Sequence, residues 1–216
     1  GTILRGNPAP SSDLDIYVIR ERPVRQRIQK FFNRTSKTRG VPTEIFVNPA
    51  PQILKYFAQE HDAGRPLTAH MLTTGFTILQ ISPVVSDLQQ RAHEVLARCP
   101  RLDTERLTTL RYMAAARYED GTDVAETDPE TAIMILSVAV HDMLTYYFLK
   151  TGRYVPRDKD LLGVLGDMDG VLAGLARAFF GAQEVDRRLT LAEQIADYTI
   201  ETHGFFEWES TPEEVG

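Results

Sequence analysis

The chain has 216 residues, ordinary proportions of hydrophobic and charged residues (43% and 25%), and a formal net charge of −6. This acidic balance argues against a non-specific nucleic-acid binder, because such proteins depend on a net positive surface. The single cysteine, Cys99, excludes an internal disulfide and predicts a reducing, cytoplasmic location. No window approaches 18 uninterrupted apolar residues, so we expect neither a membrane span nor a membrane partner.

The first predicted element is a β-strand near residues 13–19, because apolar side chains alternate from Leu14 to Val18. The alternation predicts that these apolar side chains form the half-buried face. Asp13 and Asp15 fall on the opposite face of that strand. Two neighbouring carboxylates repel each other unless a cation lies between them. The aspartate pair therefore calls for a functional explanation.

The elements that follow are predicted to mix helices and strands. Residues 24–32 carry apolar side chains at helical spacing and predict a helix. The sequence TEIFV predicts a short strand that carries Glu44. A helix is predicted to start at Pro49, followed by a helical turn that Gly75 closes. The sequence FTILQI, residues 76–81, is the last strand candidate.

From Ser82 onward the patterns predict helices alone. The sequence Asp128-Pro129-Glu130 is typical of a helix start. The predicted helices begin after Ser82-Pro83 and around Leu107, and continue near 129–150, 158–166, 168–180 and 186–203. The predicted fold class is therefore α+β: a small α/β domain with a mixed sheet over residues 1–81, followed by an all-α helical bundle over 82–216.

Positive charge is concentrated in residues 20–39, the basic segment, against a single acid, Glu21. Two interpretations stay open for it. It is either a patch that attracts phosphates or a solvated helix face with a mobile loop. Its cations are Arg20, Arg22, Arg25, Arg27, Lys30, Arg34, Lys37 and Arg39.

Asp13, Asp15 and Glu44 make an oxygen-rich set if their two strands are neighbours. Such a set suits hard cations such as Mg²⁺. Two such ions, typically ~3.5–4 Å apart, can hold the attacking and leaving oxygens of a phosphoryl displacement. The glycine-containing turn upstream would bring backbone N–H groups to phosphate oxygens. The pattern predicts metal-dependent phosphoryl chemistry.

The opening stretch GTILRGNPAPSSDLD resembles the signature of the DNA polymerase β-type nucleotidyltransferase superfamily. In that signature a Gly-Ser pair ends one strand, and Ser-Asp-x-Asp follows after a fixed gap on the next. Gly1-Thr2 takes the place of the Gly-Ser pair, and Arg5-Gly6 matches the Arg-Gly of the turn. Ser12-Asp13-Leu14-Asp15 matches the acidic end, and Glu44 takes the place of the third family carboxylate.

The resemblance implies roles for these residues. Asp13 and Asp15 would bind two Mg²⁺ ions, with Asp15 bridging them, and Glu44 would ligate the catalytic ion and help deprotonate the acceptor hydroxyl. Ile3 stands where many relatives have an arginine, which removes one phosphate contact. The nucleotide-binding residues that the resemblance implies are Gly1, Thr2, Arg5 and Ser12.

The reaction implied is transfer of a nucleoside monophosphate, most often AMP, from a nucleoside triphosphate to a hydroxyl, with release of pyrophosphate. The helical layout is similar to the bundles of small-molecule (kanamycin-type) nucleotidyltransferases. A small hydroxylated acceptor such as an antibiotic is therefore expected, and a homodimer stays open because many relatives form one. The family also has a helix and a strand before the Gly-Ser pair, and the sequence that starts at Gly1 lacks them.

Two alternative functions stay open. The basic segment favours a tRNA- or protein-modifying nucleotidyltransferase of the toxin type. Ile3 and the start at Gly1 favour a non-catalytic nucleotide-binding or regulatory module. For the pair His141-Asp142, interactions within the bundle are favoured over a role as acceptor-binding group or general base.

Overall fold

The structure, a computed structural model, describes Gly6 and residues 11–36, 38–100 and 102–212. The chain divides into two compact units, Gly1–Cys99 and Pro100–Gly216. Among the described residues, the strands form a mixed three-stranded sheet in the first unit and the second unit is helical. The predicted α+β class is confirmed.

The first unit combines a small sheet with three helices. Its elements are β1 (Leu14–Arg20), β2 (Gln26–Phe32), β3 (Val41–Pro49), α1 (Ala50–Asp62), α2 (Leu67–Thr74) and α3 (Val84–Leu96). The second unit contains α4 (Thr104–Asp123), α5 (Pro129–Lys150), α6 (Asp158–Met168), α7 (Gly170–Gly181) and α8 (Val185–Thr199).

Strand β3 lies at the centre of the sheet, parallel to β1 and antiparallel to β2. Gly40 ends the connection from β2 to β3 in a left-handed conformation, with φ of 79°. A Cβ atom there would lie 2.5 Å from the carbonyl oxygen of Phe32, so the close approach and the positive φ both require glycine. Gly40 thereby helps to set the register in which Val41 lies opposite Phe32.

Residues 24–32 were predicted as a helix, and that prediction is wrong, because β2 occupies most of this stretch. The apolar residues Ile28, Phe31 and Phe32 fit a helical spacing as well as a strand. Pairing with β3 decides between them, since every residue of β2 has a partner on that strand. Long-range pairing overrides a weak local preference here.

Residues 76–81 were predicted as a strand and form none in the structure. They pair with no described strand, although their composition is typical of a β-strand. A strand requires a partner for its backbone groups, and composition alone does not supply one. The apolar side chains of this segment are 73–89% exposed: Phe76, Ile78, Leu79 and Ile81.

Helix α3 belongs to the first unit, whereas the sequence placed it in the bundle by drawing the boundary at residues 81/82. The structural division falls after Cys99. The reason is that the apolar stripe of α3 finds its partners on α1 and α2. One buried cluster combines side chains of these three helices: Ile53, Phe57, Ala69, Leu72, Leu88, Ala92 and Val95.

The long helix α5 supplies more buried residues to the core of the second unit than any other described helix. It begins at Pro129, as predicted, where the side chain of Asp128 accepts a hydrogen bond from the backbone N–H of Thr131 at 3.1 Å. By length and composition α5 is apolar enough to cross a membrane. Its side chains nevertheless pack with those of α4, α6, α7 and α8 in one buried cluster, as is typical of the central helix of a bundle.

His141 links α5 to α6. Its Nε2 lies 3.7 Å from a carboxylate oxygen of Asp158, and its Nδ1 lies 3.8 Å from one of Asp142. Asp142 in turn receives a hydrogen bond from Arg117 of α4. The neighbouring carboxylate of Asp142 raises the pKa of His141. These contacts agree with the interpretation that the pair interacts within the bundle.

The raised pKa predicts a pH-dependent contribution of His141 to stability. A folded-state pKa above the unfolded value stabilises the fold fully at pH below 6.5, and the contribution is lost as pH rises through the folded-state pKa. We expect His141→Gln to reduce the free energy of unfolding more at about pH 5.5 than at about pH 8.5. Urea denaturation at both pH values measures this, and an equal loss at both would contradict it.

Helices α4 and α5 pack closely at Gly121, where an added Cβ atom would lie 2.8 Å from Cγ of the fully buried Leu136. We expect Gly121→Ala to lower the free energy of unfolding by about 1–3 kcal/mol, because it overpacks this contact. The matched control is Gly174→Ala in α7, where an added Cβ would meet nothing within 4 Å.

Gly174→Ala is expected to raise the free energy of unfolding by about 0.5–1 kcal/mol, because alanine has the higher helix propensity. Chemical denaturation of both variants and the wild type gives the two signs. Equal effects of the two substitutions would contradict close packing of α4 against α5.

Candidate metal centre

Three carboxylates predicted from the sequence converge at one end of the sheet. Asp13, Asp15 and Glu44 each offer a carboxylate oxygen, and these oxygens all lie within 4.8 Å of one another. Glu44 therefore points towards the aspartate pair, as the metal-site prediction requires.

The pairing of β1 with β3 produces this convergence. Asp15 lies directly opposite Glu44 in the parallel register, so their side chains share a face of the sheet. Asp13 precedes Asp15 by two residues and lies just before β1, so it extends towards the same face. Two local sequences more than two dozen residues apart thus form one cluster.

The surroundings of the three carboxylates differ. Glu44 is 9% exposed, Asp13 is half-buried and Asp15 is exposed. Three negative charges this close raise the electrostatic free energy of the site unless cations offset them. The cluster is therefore built to attract positive charge.

Arg27 on β2 provides one such charge, because its Nε donates a hydrogen bond to Oε1 of Glu44. This bond raises the pKa of Arg27, and the nearby Asp15 adds to the effect. The guanidinium carbon also lies 5.2 Å from the centre of the Phe46 ring, a cation–π arrangement. The Arg27 side chain is 70% exposed, so this arginine is no buried counter-ion that neutralises all three acids.

Along the same face the sheet changes from acidic to apolar. The rings of Tyr17 and Phe46 stack with centroids 5.8 Å apart, and Asn48 donates a hydrogen bond to the Tyr17 hydroxyl at 3.0 Å. Burial raises the pKa of Tyr17 to about 12. Tyr17 anchors the acidic end of the sheet to the helices, because it packs against the cluster of α1, α2 and α3.

The predicted half-buried face of β1 is therefore corrected. Leu14 and Val18, expected on that face, are 36% and 37% exposed. Tyr17 and Ile19, on the aspartate face, pack against the helical cluster. Alternation alone predicts which side chains share a face, and the position of α1, α2 and α3 decides which face is covered.

The structure describes one of the remaining predicted site residues. Ser12 is half-buried and immediately precedes Asp13 in the sequence. Gly1, Thr2 and Arg5, the predicted phosphate-binding residues, lie outside the described residues. The sequence analysis missed Arg27 as a contact of Glu44, because residues 24–32 were assigned to a helix. A strand assignment for β2 would have placed Arg27 on the face of Glu44.

The donor set fits a hard divalent cation. The three residues offer only carboxylate oxygens, which Mg²⁺ and Mn²⁺ prefer to nitrogen or sulfur ligands. Their mutual separations allow one ion to contact more than one residue. All described Lys and Arg residues of the basic segment are exposed. Of these, Arg27 has an observed contact with Glu44.

No protein-family model matches the sequence, and no curated protein matches it. Among solved structures, the chain is similar to the nucleotidyltransferase-like protein from Exiguobacterium sibiricum 255-15. The similarity covers 87% of this chain and 61% of that one, with a TM-score of 0.53 and 12% sequence identity. The chain thus spans less than two thirds of the length of that protein. At this identity the comparison speaks for the fold, and it agrees with the resemblance in the opening motif: the chain has a nucleotidyltransferase-like fold.

Proposed function

We propose that the protein is a Mg²⁺-dependent nucleotidyltransferase that moves a nucleoside monophosphate, AMP in the first instance, from a triphosphate to a hydroxyl of a small molecule. The single observation that carries this proposal is the convergence of Asp13, Asp15 and Glu44. The nucleotidyltransferase-like fold supports it, since the predicted motif and the observed fold point to the same class.

Asp13, Asp15 and Glu44 are the residues that would hold the metal. Bound Mg²⁺ supplies neutralisation of the charge on the phosphate oxygens during in-line displacement. The acceptor oxygen forms a bond to the α-phosphorus, and the bond from that phosphorus to the bridging oxygen breaks to release pyrophosphate. Glu44 is the carboxylate that we assign to accept the hydroxyl proton.

The net charge and the single cysteine support the proposed acceptor and a cytoplasmic location. An acidic protein with a net charge of −6 suits a small, neutral or cationic hydroxylated acceptor better than a polyanion. The single cysteine, Cys99, is exposed and free, which suits the reducing cytoplasm, where nucleoside triphosphates are abundant. A homodimer stays open, because many proteins of the family that the opening motif resembles form one.

The proposal predicts that metal-dependent nucleotide binding needs the aspartate pair. We expect ATP with Mg²⁺ to raise the melting temperature of the wild type. A ligand that binds only the native state stabilises it by about 2.7 kcal/mol when the ligand concentration is about a hundred times Kd. The variant Asp13→Asn/Asp15→Asn is expected to lose this shift, and its transfer rate is expected to fall at least about a hundredfold.

The matched control is Glu207→Gln/Glu209→Gln, which removes two exposed carboxylates with the same sequence spacing from the C-terminal region. It is expected to keep both the thermal shift and the transfer activity. Equal stabilisation of the aspartate variant would contradict the site. Stabilisation of the wild type without pyrophosphate release from any triphosphate and acceptor would favour the non-catalytic binding module.

The exposed cations of the basic segment favour a second candidate, a toxin-type enzyme that modifies tRNA. Every described Lys and Arg of residues 20–39 is exposed, and exposed cations can contact the phosphates of a polyanion. Purified tRNA incubated with the protein, Mg²⁺ and each triphosphate in turn separates the candidates by mass spectrometry. A mass increase of one nucleotide on tRNA would identify it as the acceptor, and unchanged tRNA would favour the small molecule.

A further inference from the structure

Arg27 binds the carboxylate of Glu44, which a metal ion at the cluster would also need. Its Nε donates to Oε1 of Glu44, and Oε1 belongs to a residue of the three-carboxylate cluster. A carboxylate oxygen that accepts a charge-assisted hydrogen bond is a weaker metal ligand, because the guanidinium neutralises it and repels a second cation. The two cations therefore compete for Glu44.

We propose that Arg27 exchanges partners. In the metal-free protein it binds and positions the carboxylate of Glu44. When a metal ion binds Glu44, Arg27 is released and binds the triphosphate. This inference rests on the proposed function, because it assumes that the cluster binds a divalent cation. It adds a residue outside the three carboxylates and a coupling between metal binding and substrate binding.

The metal-free cluster needs a counter-ion at Glu44 in particular. This carboxylate is 9% exposed and therefore less solvated than that of Asp15. A poorly solvated charge is costly unless it is paired. Arg27 supplies the pair and at the same time orients the Glu44 side chain towards the aspartates.

The same geometry lets Arg27 leave. Its side chain is 70% exposed, and ion pairs that involve an exposed partner contribute little free energy because water and salt screen them. The Phe46 ring, 5.2 Å from the guanidinium carbon, remains a contact for the side chain after Glu44 is released. Arg27 thus exchanges its carboxylate partner without losing all of its contacts.

The released guanidinium lies beside the cluster with its N–H donors uncommitted to Glu44. The planar donors of arginine match the geometry of phosphate oxygens and bind them in pairs. A triphosphate that approaches the metal brings such oxygens to this edge of the sheet. Metal binding at Glu44 therefore prepares Arg27 for the anionic part of the substrate.

The first arm of the test measures Mn²⁺ binding to the full chain by calorimetry and electron paramagnetic resonance, without nucleotide. Arg27→Ala is expected to bind Mn²⁺ about tenfold more tightly than the wild type at about 0.15 M salt, because a divalent ion no longer meets a positive charge a few ångströms away. A residue with only a structural role would weaken binding when removed, so the sign separates the two roles.

The matched control is Arg25→Ala. Arg25 is also exposed, carries the same charge and lies over an aromatic ring, that of Tyr56 at 5.8 Å, but its observed contact does not involve Glu44. Its removal is expected to change Mn²⁺ affinity by no more than about twofold at about 0.15 M salt, where screening weakens more distant charges.

The second arm measures binding of inorganic tripolyphosphate to the Mn²⁺-loaded protein. Arg27→Ala is expected to lose about tenfold or more in affinity, which corresponds to one charge-assisted hydrogen-bond partner. Arg27→Lys keeps the charge without the planar donors, so we expect a smaller loss and a Mn²⁺ affinity near that of the wild type. Circular dichroism of each variant verifies that it is folded.

Equal Mn²⁺ affinity in Arg27→Ala and Arg25→Ala would overturn the proposal, and so would tripolyphosphate binding that does not depend on Arg27. Failure of the metal site itself gives a different result: Asp13→Asn/Asp15→Asn would then bind Mn²⁺ as the wild type does. A third result is that the aspartate variant loses Mn²⁺ binding while Arg27→Ala behaves like Arg25→Ala. This would support the proposed function and exclude the role that we assign to Arg27.

Discussion

The in-register pairing of β1 with β3 places like charges side by side, and the rest of the site follows from that constraint. Asp15 and Glu44 are cross-strand neighbours, and Asp13 joins them from the residue before the strand. Like charges that face each other across a sheet destabilise the pairing. A chain that keeps this arrangement therefore needs cations at the site, and among the described residues Arg27 provides one through its contact with Glu44.

The first unit is organised so that the acidic end of the sheet is held firmly. The apolar end of the same face, with Tyr17 and Ile19, packs against α1, α2 and α3. The strand is therefore anchored at one end and presents its carboxylates at the other. Stacking of the half-buried rings of Tyr17 and Phe46 links the two ends, so the carboxylates lie on a rigid support.

Glu44 was predicted from the resemblance to the family signature, whereas the aspartate pair was predictable from sequence because local spacing encodes it. The same holds for the start of α5, where Asp128 and Pro129 mark the helix start independently of any distant residue. Local patterns failed wherever a distant partner decides the outcome. Strand β2 forms because β3 pairs with it. Residues 76–81 form no strand because no described strand pairs with them. The contact between Arg27 and Glu44 likewise depends on the pairing of β2 with β3.

The order of strands has a consequence for how the chain folds during synthesis. Strands β1 and β2 pair with β3 and not with each other, so β3 is the partner that both require. Until Pro49, the last residue of β3, has left the ribosome, neither earlier strand has its native neighbour. Parallel pairing across the intervening residues is non-local and slow to form. The carboxylate cluster therefore assembles only when the sheet that carries it does.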